Sequence, residues 1–263
     1  MRLSIEAMLD YQLPAPCDLL FALEVAQVHD QRLIEDRLIV GGVDPMTPVA
    51  AEESLGRRTW ARGSGRVTAR YTAIVDVERP APLLAGLAVG EKSRLPGLVV
   101  SYLFPSRYCE ADRFQHFVHR QFGHLGDGDK VVAIADWIRG RLEYVPGASD
   151  STTTAADTFI SRRGVCRDFA HLMIAMARAA DIPARMVGAY AWRLDPEDFH
   201  AVVEVWLDGA WRLVDPTGLA PCDGIVRIGV GRDATDISFL TVFGEARLIE
   251  QWVRVERVGD ARG

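Results

Sequence analysis

At 263 residues the chain exceeds one typical domain and is long enough for two, each with a core of its own. Its 49% apolar and 25% charged residues are ordinary for a globular protein, and a net charge of −6 without any Lys/Arg-rich run argues against a nucleic-acid or anionic-membrane role. No apolar run is long enough to span a bilayer, MRLSIEAMLDYQL lacks a signal-peptide core, and Cys17, Cys109, Cys166 and Cys222 form no CxxC pair, so a cytoplasmic protein with free thiols is expected.

In residues 2–13 the odd positions Leu3, Ile5, Ala7, Leu9, Tyr11 and Leu13 are apolar, and the even ones are polar except Met8. This is the period of a strand with one buried face, and Pro14 and Pro16 are expected to end it. Further apolar runs at 19–28 and 32–40 read as strands, and Gly41, Gly42, Asp44, Pro45 and Pro48 mark a loop. Residues 66–78 alternate as cleanly as the first strand, with Val67, Ala69, Tyr71, Ala73, Val75 and Val77 on one face. The first 80 residues therefore predict a small antiparallel β-unit of sandwich type. The Pro and Gly density of residues 79–98 reads as a connector, which divides the chain into an N-terminal β domain with its linker, 1–98, and a second unit, 99–263.

After a short apolar piece at 98–104, SRYCEADRFQHFVHRQFG reads as a helix. Cys109, His116, His119 and His124 lie close together in it, but no carboxylate or second thiol completes a recognised metal spacing, and no metal is expected. A second helix is expected over 129–143 with Val132, Ile134, Ala135, Ile138 and Leu142 inward. A polar loop, 144–154, leads into a short helical piece at 155–161. Then comes GVCRDFAHLMIAMARAADIPAR, residues 164–185. Phe169, Leu172, Met173, Met176, Ala177 and Ala180 recur at helical spacing, and the only polar side chains between Phe169 and Ala180 are His171 and Arg178, so this helix is buried on most sides. A strand is expected over 183–192. In HAVVEVWLDGAWRLVDPTG, Asp208-Gly209 between two β-rich runs marks a hairpin. The Gly-rich residues 218–236 read as loop, and 238–243 and 249–258 as closing strands.

Cys166 would stand in the first turn of its helix, facing unpaired N–H groups and the positive end of the macrodipole, a setting that favours a thiolate. Alone, such a cysteine is as readily a small buried hydrophobe. The hairpin supplies what it lacks. A two-residue turn at Asp208-Gly209 pairs Leu207 with Ala210 and Trp206 with Trp211, and continued register sets Val202 opposite Asp215. His200 and Asp215 then share a face as diagonal neighbours, and a turn of odd length would separate them. Cys166, His200 and Asp215 thus have the character of nucleophile, base and orienting acid. His171, five residues past Cys166, points elsewhere around the helix.

The helix sequence GVCRDFAHLMIAMARAADIPAR, followed by DFHAVVEVWLDGAWRLVDPT, resembles the transglutaminase-like superfamily, and more closely its bacterial members labelled cysteine proteases. These motifs cover about residues 155–217, and the early β-unit and SRYCEADRF resemble the N-terminal region of the same branch. The resemblance implies an α+β fold, with an N-terminal antiparallel β domain before a papain-like core in which a Cys-bearing helix packs on an antiparallel sheet. It implies Cys166 as nucleophile, His200 as general base and acid, and Asp215 as orienter. Asp181 departs from the family, which usually has Gly before IPAR; a left-handed residue is expected there, which Asp tolerates with some strain.

The expected chemistry is attack of the thiolate on an amide or ester carbonyl of a peptide or protein substrate. The Cys166 N–H would serve as one oxyanion donor and Tyr102, Tyr108 or Tyr144 as the second, and no cofactor is needed. The thioester passes to water or, alternatively, to an amine as in transamidation; a non-catalytic peptide-binding module is a third reading. Asp168 suits the helix first turn as it stands, besides offering a contact to a substrate amine. Arg167 offers one to a substrate carboxylate, and Trp192, Trp206 and Trp211 are candidates for groove walls or for cross-strand packing.

Overall fold

The computed structural model describes residues 1–259. Its elements are β1 (Arg2–Phe21), β2 (Gln31–Val43), β3 (Thr47–Ala50), β4 (Arg57–Val77), α1 (Gly97–Val100), α2 (Gln115–Phe122), α3 (Asp127–Arg141), β5 (Glu143–Tyr144), α4 (Ala155–Ser161), β6 (Arg163–Gly164), α5 (Cys166–Ala179), β7 (Ala184–Ala191), β8 (His200–Leu207), β9 (Ala210–Val214), β10 (Ile225–Gly231), α6 (Ala234–Ile237), β11 (Leu240–Phe243) and β12 (Arg247–Arg257). A six-stranded antiparallel sheet is built on β1 and β4, and a four-stranded one has the order β10-β7-β8-β9. The fold is α+β, as expected.

β1 and β4 carry the first sheet because their alternation is continuous. Leu3, Ile5, Ala7, Leu9 and Leu13 of β1, and all six expected positions of β4 from Val67 to Val77, are buried. Pro14 and Pro16 do not end β1. The ladder to β4 steps from Leu13↔Gly65 to Cys17↔Gly63, so three residues bulge out against one and the strand continues to Phe21. On its other edge, β12 stops at Gln12 and β11 begins at Asp18, so neither proline faces a strand that needs its missing N–H. β4 likewise starts at Arg57, earlier than its clean alternation indicates.

Two further departures concern the C-terminal third. Residues 225–231, IVRIGVG, form β10 against β7 where a loop is expected; Gly229 sits at a register shift in that ladder. The last two strands, which the boundary at residue 98 groups with the second unit, pair instead with β1, bringing Val253 and Val255 into the first core. That core also takes in Tyr190, Val226 and Ile228 from the second sheet, so the first sheet finds its partner layer there and not within the first 80 residues. Tyr71 and Tyr190 stack across the junction at 6.1 Å.

The other face of the second sheet receives α5. Ala201, Val203, Val205 and Leu207 of β8 meet Phe169, Leu172, Met173 and Met176, and every residue of α5 from Asp168 to Arg178 is buried. α3 packs alongside with Val131, Ile134, Ala135 and Ile138 inward; Val132, expected inside, is exposed. Arg178 is tolerated in this core because its guanidinium donates to the carbonyls of Ala184, Phe104 and Arg232 and to the Ser106 hydroxyl. At the end of α5, Asp181 adopts φ 61°, the left-handed geometry expected of it, and its carboxylate meets Lys92.

A line of buried charge ties the sheets together. Glu204 is 1% exposed and binds Arg185 at 2.7 Å and Arg227 at 2.7 Å; Arg185 reaches Glu53, and Arg227 reaches Asp30, in the connections of the first sheet. Burial alone would raise the Glu204 pKa, but Arg227 and Arg185 outweigh it and hold the carboxyl below its usual range. Removing it leaves two buried guanidinium groups with one carboxylate partner each, so Glu204→Ala is expected to cost about 3–5 kcal/mol in urea unfolding. A loss below about 1 kcal/mol would mean the ladder contributes little.

Candidate active site

The hairpin forms with the expected parity. Asp208 (φ 52°) and Gly209 (φ 69°) both take left-handed geometry, as a type I′ turn requires, and the ladder runs Leu207↔Ala210, Trp206↔Trp211, Val205↔Arg212, Glu204↔Leu213, Val203↔Val214. The next step brings Asp215 beside His200: Oδ2 lies 3.0 Å from His200 Nε2, with both side chains buried. The residues after Asp215 finish its coordination. Its Oδ1 accepts the Thr217 N–H at 2.9 Å and hydroxyl at 2.6 Å, and Oδ2 also accepts the Ala220 N–H at 3.0 Å. Burial by itself would raise the Asp215 pKa; the bonds from His200 and Thr217 reverse that and keep it ionised.

With Nε2 engaged, Nδ1 is left for Cys166, which lies close enough to act on the ring. Burial pushes the imidazole pKa down, but Asp215 and Cys166 together carry it up to about 10, so the ring is an imidazolium at neutral pH. Cys166 opens α5, and its helix start is built around Asp168. This fully buried carboxylate accepts the Val165 N–H at 2.8 Å and the Ser149 hydroxyl, while Arg167 holds it at 3.1 Å. A Cβ on Gly164 would stand 2.7 Å from that of Asp168, which is why the residue before the cap is glycine. Asp168 thus accepts from the N-cap residue Val165 and anchors the loop at 145–154, and Arg167, which also reaches the Asp150 carbonyl, belongs to the same framework.

Among the tyrosines, Tyr144 stands beside Cys166. β5 and β6 pair Tyr144 with Gly164, and the ring lies 5.9 Å from that of Phe169. Tyr144 lies against both the backbone N–H and the sulfur of Cys166; burial first, and Cys166 second, raise its pKa to about 12. Tyr102 is buried against Trp211. The Tyr108 hydroxyl donates to the Ser151 carbonyl at 2.7 Å. Trp206 and Trp211 pack on each other at the hairpin tip and Trp192 under Arg193, all away from the cysteine, so packing is their role. His171 accepts the Ala234 N–H and stacks on Tyr108. Cys109 is fully buried whereas His116, His119 and His124 are exposed, and no metal-binding group of three is gathered among the described residues.

Cys166 and His200 open into a cleft of about 420 Å³ whose walls include Tyr108, Ile237 and Phe239. A larger depression, about 520 Å³, lies on the first sheet by Ser4, Glu35 and Thr72 and contains neither thiol nor imidazole. Chemistry therefore favours the smaller. Ile237 and Phe239 reach it from beyond the Gly-rich segment, and no spacing in the sequence announces them.

A cysteine-bearing helix packed on an antiparallel sheet, beside a strand-borne His paired with an Asp just past the next strand, defines a transglutaminase-like core. Residues 116–216, which hold all three polar groups, match the family model described as the transglutaminase-like superfamily. The chain is 33% identical to a protein of known structure described as a putative cysteine protease from Cytophaga hutchinsonii, with a TM-score of 0.92, covering 100% of this chain and 92% of that one. It is also 36% identical over 120 residues to Uncharacterized protein ML0607 of Mycobacterium leprae (strain TN); this match spans 41% of the chain and only 42% of that protein. The chain belongs to the transglutaminase-like superfamily.

The His200–Asp215 pair fixes a pH signature. A histidine raised above its ordinary value adds stability that is complete below about pH 6.5 and is lost as pH rises toward its folded value of about 10. Titration of the His200 ring by NMR is expected to give a midpoint near 10, falling in Asp215→Asn. A midpoint at the ordinary value in the unmodified protein would contradict the hydrogen-bonded pair.

Proposed function

We propose that the protein is a cysteine-dependent acyl-transfer enzyme that hydrolyses an amide or peptide bond through a thioester on Cys166. The observation that carries this reading is the placement of one buried imidazole between an ionised Asp215 and the cysteine at the start of α5, at the wall of an open cleft. No helix among the described residues is long and apolar enough to cross a membrane. Four unpaired cysteines suit a reducing compartment, and we place the protein in the cytoplasm on that ground.

The chemistry follows from the groups. The Cys166 proton resides on His200, and the sulfur, at the positive end of α5, attacks the substrate carbonyl. Negative charge on the carbonyl oxygen is met by the Cys166 N–H and the Tyr144 hydroxyl. His200 then gives its proton to the leaving amine, and the thioester remains. Water, deprotonated by the now neutral imidazole, attacks the thioester and releases the acid. Asp215 keeps the ring oriented throughout and balances its charge. An amine replacing water in the last step would give transamidation, so the acceptor is decided by what the cleft admits.

Replacing Cys166 by Ala is expected to abolish turnover, and Asp215→Asn to lower kcat/KM by roughly 10²–10⁴-fold. The rate should fall as pH rises through about 10, where the imidazolium is lost, and this limb should move to lower pH in Asp215→Asn. Supplying a labelled primary amine with glutamine-bearing proteins separates the two acceptors: free acid with no label incorporated supports hydrolysis. A well-folded protein that acylates Cys166 with no member of a broad amide and ester panel would overturn the proposal.

A further inference from the structure

Charge in the cleft is distributed unevenly. No Asp or Glu is among its lining residues, in a chain whose net charge is −6. Two of the cations there are already balanced: His200 by Asp215 and Arg167 by Asp168. Arg107 is not. Its guanidinium is exposed, makes no ion pair among the described residues, and lies 5.0 Å above the centre of the Tyr108 ring.

That ring is a fixed platform. The Tyr108 N–H donates to Asp233 at 3.1 Å, its carbonyl accepts the Ala155 N–H at 2.8 Å, and its hydroxyl donates to the Ser151 carbonyl at 2.7 Å. The ring also stacks on the buried His171 ring, at 4.9 Å and 14°. Burial pushes the His171 pKa down to about 4, so this ring is neutral and does not repel the cation above. Five donors are thus held in a cleft with few other charges, an arrangement matched by a carboxylate, which takes two parallel bonds from a guanidinium. Ile237 and Phe239 offer apolar surface beside it.

We propose that the cleft selects acyl substrates bearing a carboxylate near the scissile bond, and that Arg107, laid on Tyr108, is the group that binds it. The carboxylate is either the side chain of an acidic residue flanking the bond or a free peptide C-terminus. This inference rests on Cys166 being the acylated nucleophile, and its test has an arm that does not require turnover.

The first arm measures kcat/KM on peptide amides that differ only in Glu or Gln on either side of the scissile bond, and in a free or amidated C-terminus. The carboxylate form of one pair is expected to be favoured roughly 10–100-fold. Which pair shows the preference identifies the source. In Arg107→Gln the ratio should collapse toward one, and Arg107→Glu should invert it in favour of Lys at the same position. The second arm follows alkylation of Cys166 itself by peptide mapping, with iodoacetate and iodoacetamide as anionic and neutral probes. The rate ratio of iodoacetate to iodoacetamide should fall roughly threefold or more in Arg107→Gln. Failure of all peptides to react, with the alkylation ratio still dependent on Arg107, would count against the hydrolase and keep the anionic subsite. A Glu/Gln ratio near one, or an alkylation ratio unchanged in Arg107→Gln, overturns the subsite.

Discussion

The two-residue turn at Asp208-Gly209 is the constraint on which the site depends. Side chains on a strand alternate faces, so inserting or deleting one residue in the turn would carry Asp215 to the opposite face from His200. Both turn residues sit at positive φ, where glycine is free and aspartate is tolerated, and this fixes the loop at two. The 3.0 Å contact between Nε2 and Oδ2 is thus decided by backbone geometry eight residues away from His200. The charge on the ring follows from it: without the carboxylate, the burial that lowers the imidazole pKa would be opposed by Cys166 alone.

Polar groups elsewhere are arranged on the same logic, with burial compensated by local partners. Asp168 is completely buried at the start of α5, yet it receives the Val165 N–H, the Ser149 hydroxyl and Arg167. It joins helix start to loop beside Cys166. Arg178, at the other end of the same helix, gathers three carbonyls and a hydroxyl from separate segments. Each such residue costs desolvation and returns a unique arrangement of loops around a helix that is otherwise an apolar cylinder.

What was legible in the sequence is what local periodicity encodes. The faces of β1 and β4, the buried α5, the hairpin and the His200–Asp215 alignment all rest on repeats of two or 3.6 residues and on one turn motif. What escaped depends on partners distant in the chain. Whether Pro14 and Pro16 end a strand is set by the gap between β12 and β11 on the neighbouring edge. β10 was hidden because Gly229 and Gly231 suppress its propensity, while its ladder to β7 supplies the stability. Val131 and Val132 are equivalent in composition, and only the position of α3 against α5 decides which is inside. Tyr144, and not Tyr102 or Tyr108, comes beside Cys166 through the pairing of two-residue strands, β5 with β6, too short for any period to reveal.

The return of the C-terminus to the first sheet gives that sheet a part in the cleft. From α6 the chain passes through Ile237 and Phe239, which wall the cleft, directly into β11 on the edge of β1. The Phe239 carbonyl accepts the Ala22 N–H at 3.0 Å, and its ring stacks on Phe199, the neighbour of His200, at 4.1 Å. This wall of the cleft is therefore held at the far end of β1, beyond the proline bulge. The Glu53–Arg185–Glu204–Arg227–Asp30 ladder ties the two sheets together from within. The first sheet is thus a structural wall of the site as well as a covering layer, and the long β1, awkward as its two prolines make it, is what connects the outer sheet to the space above Cys166.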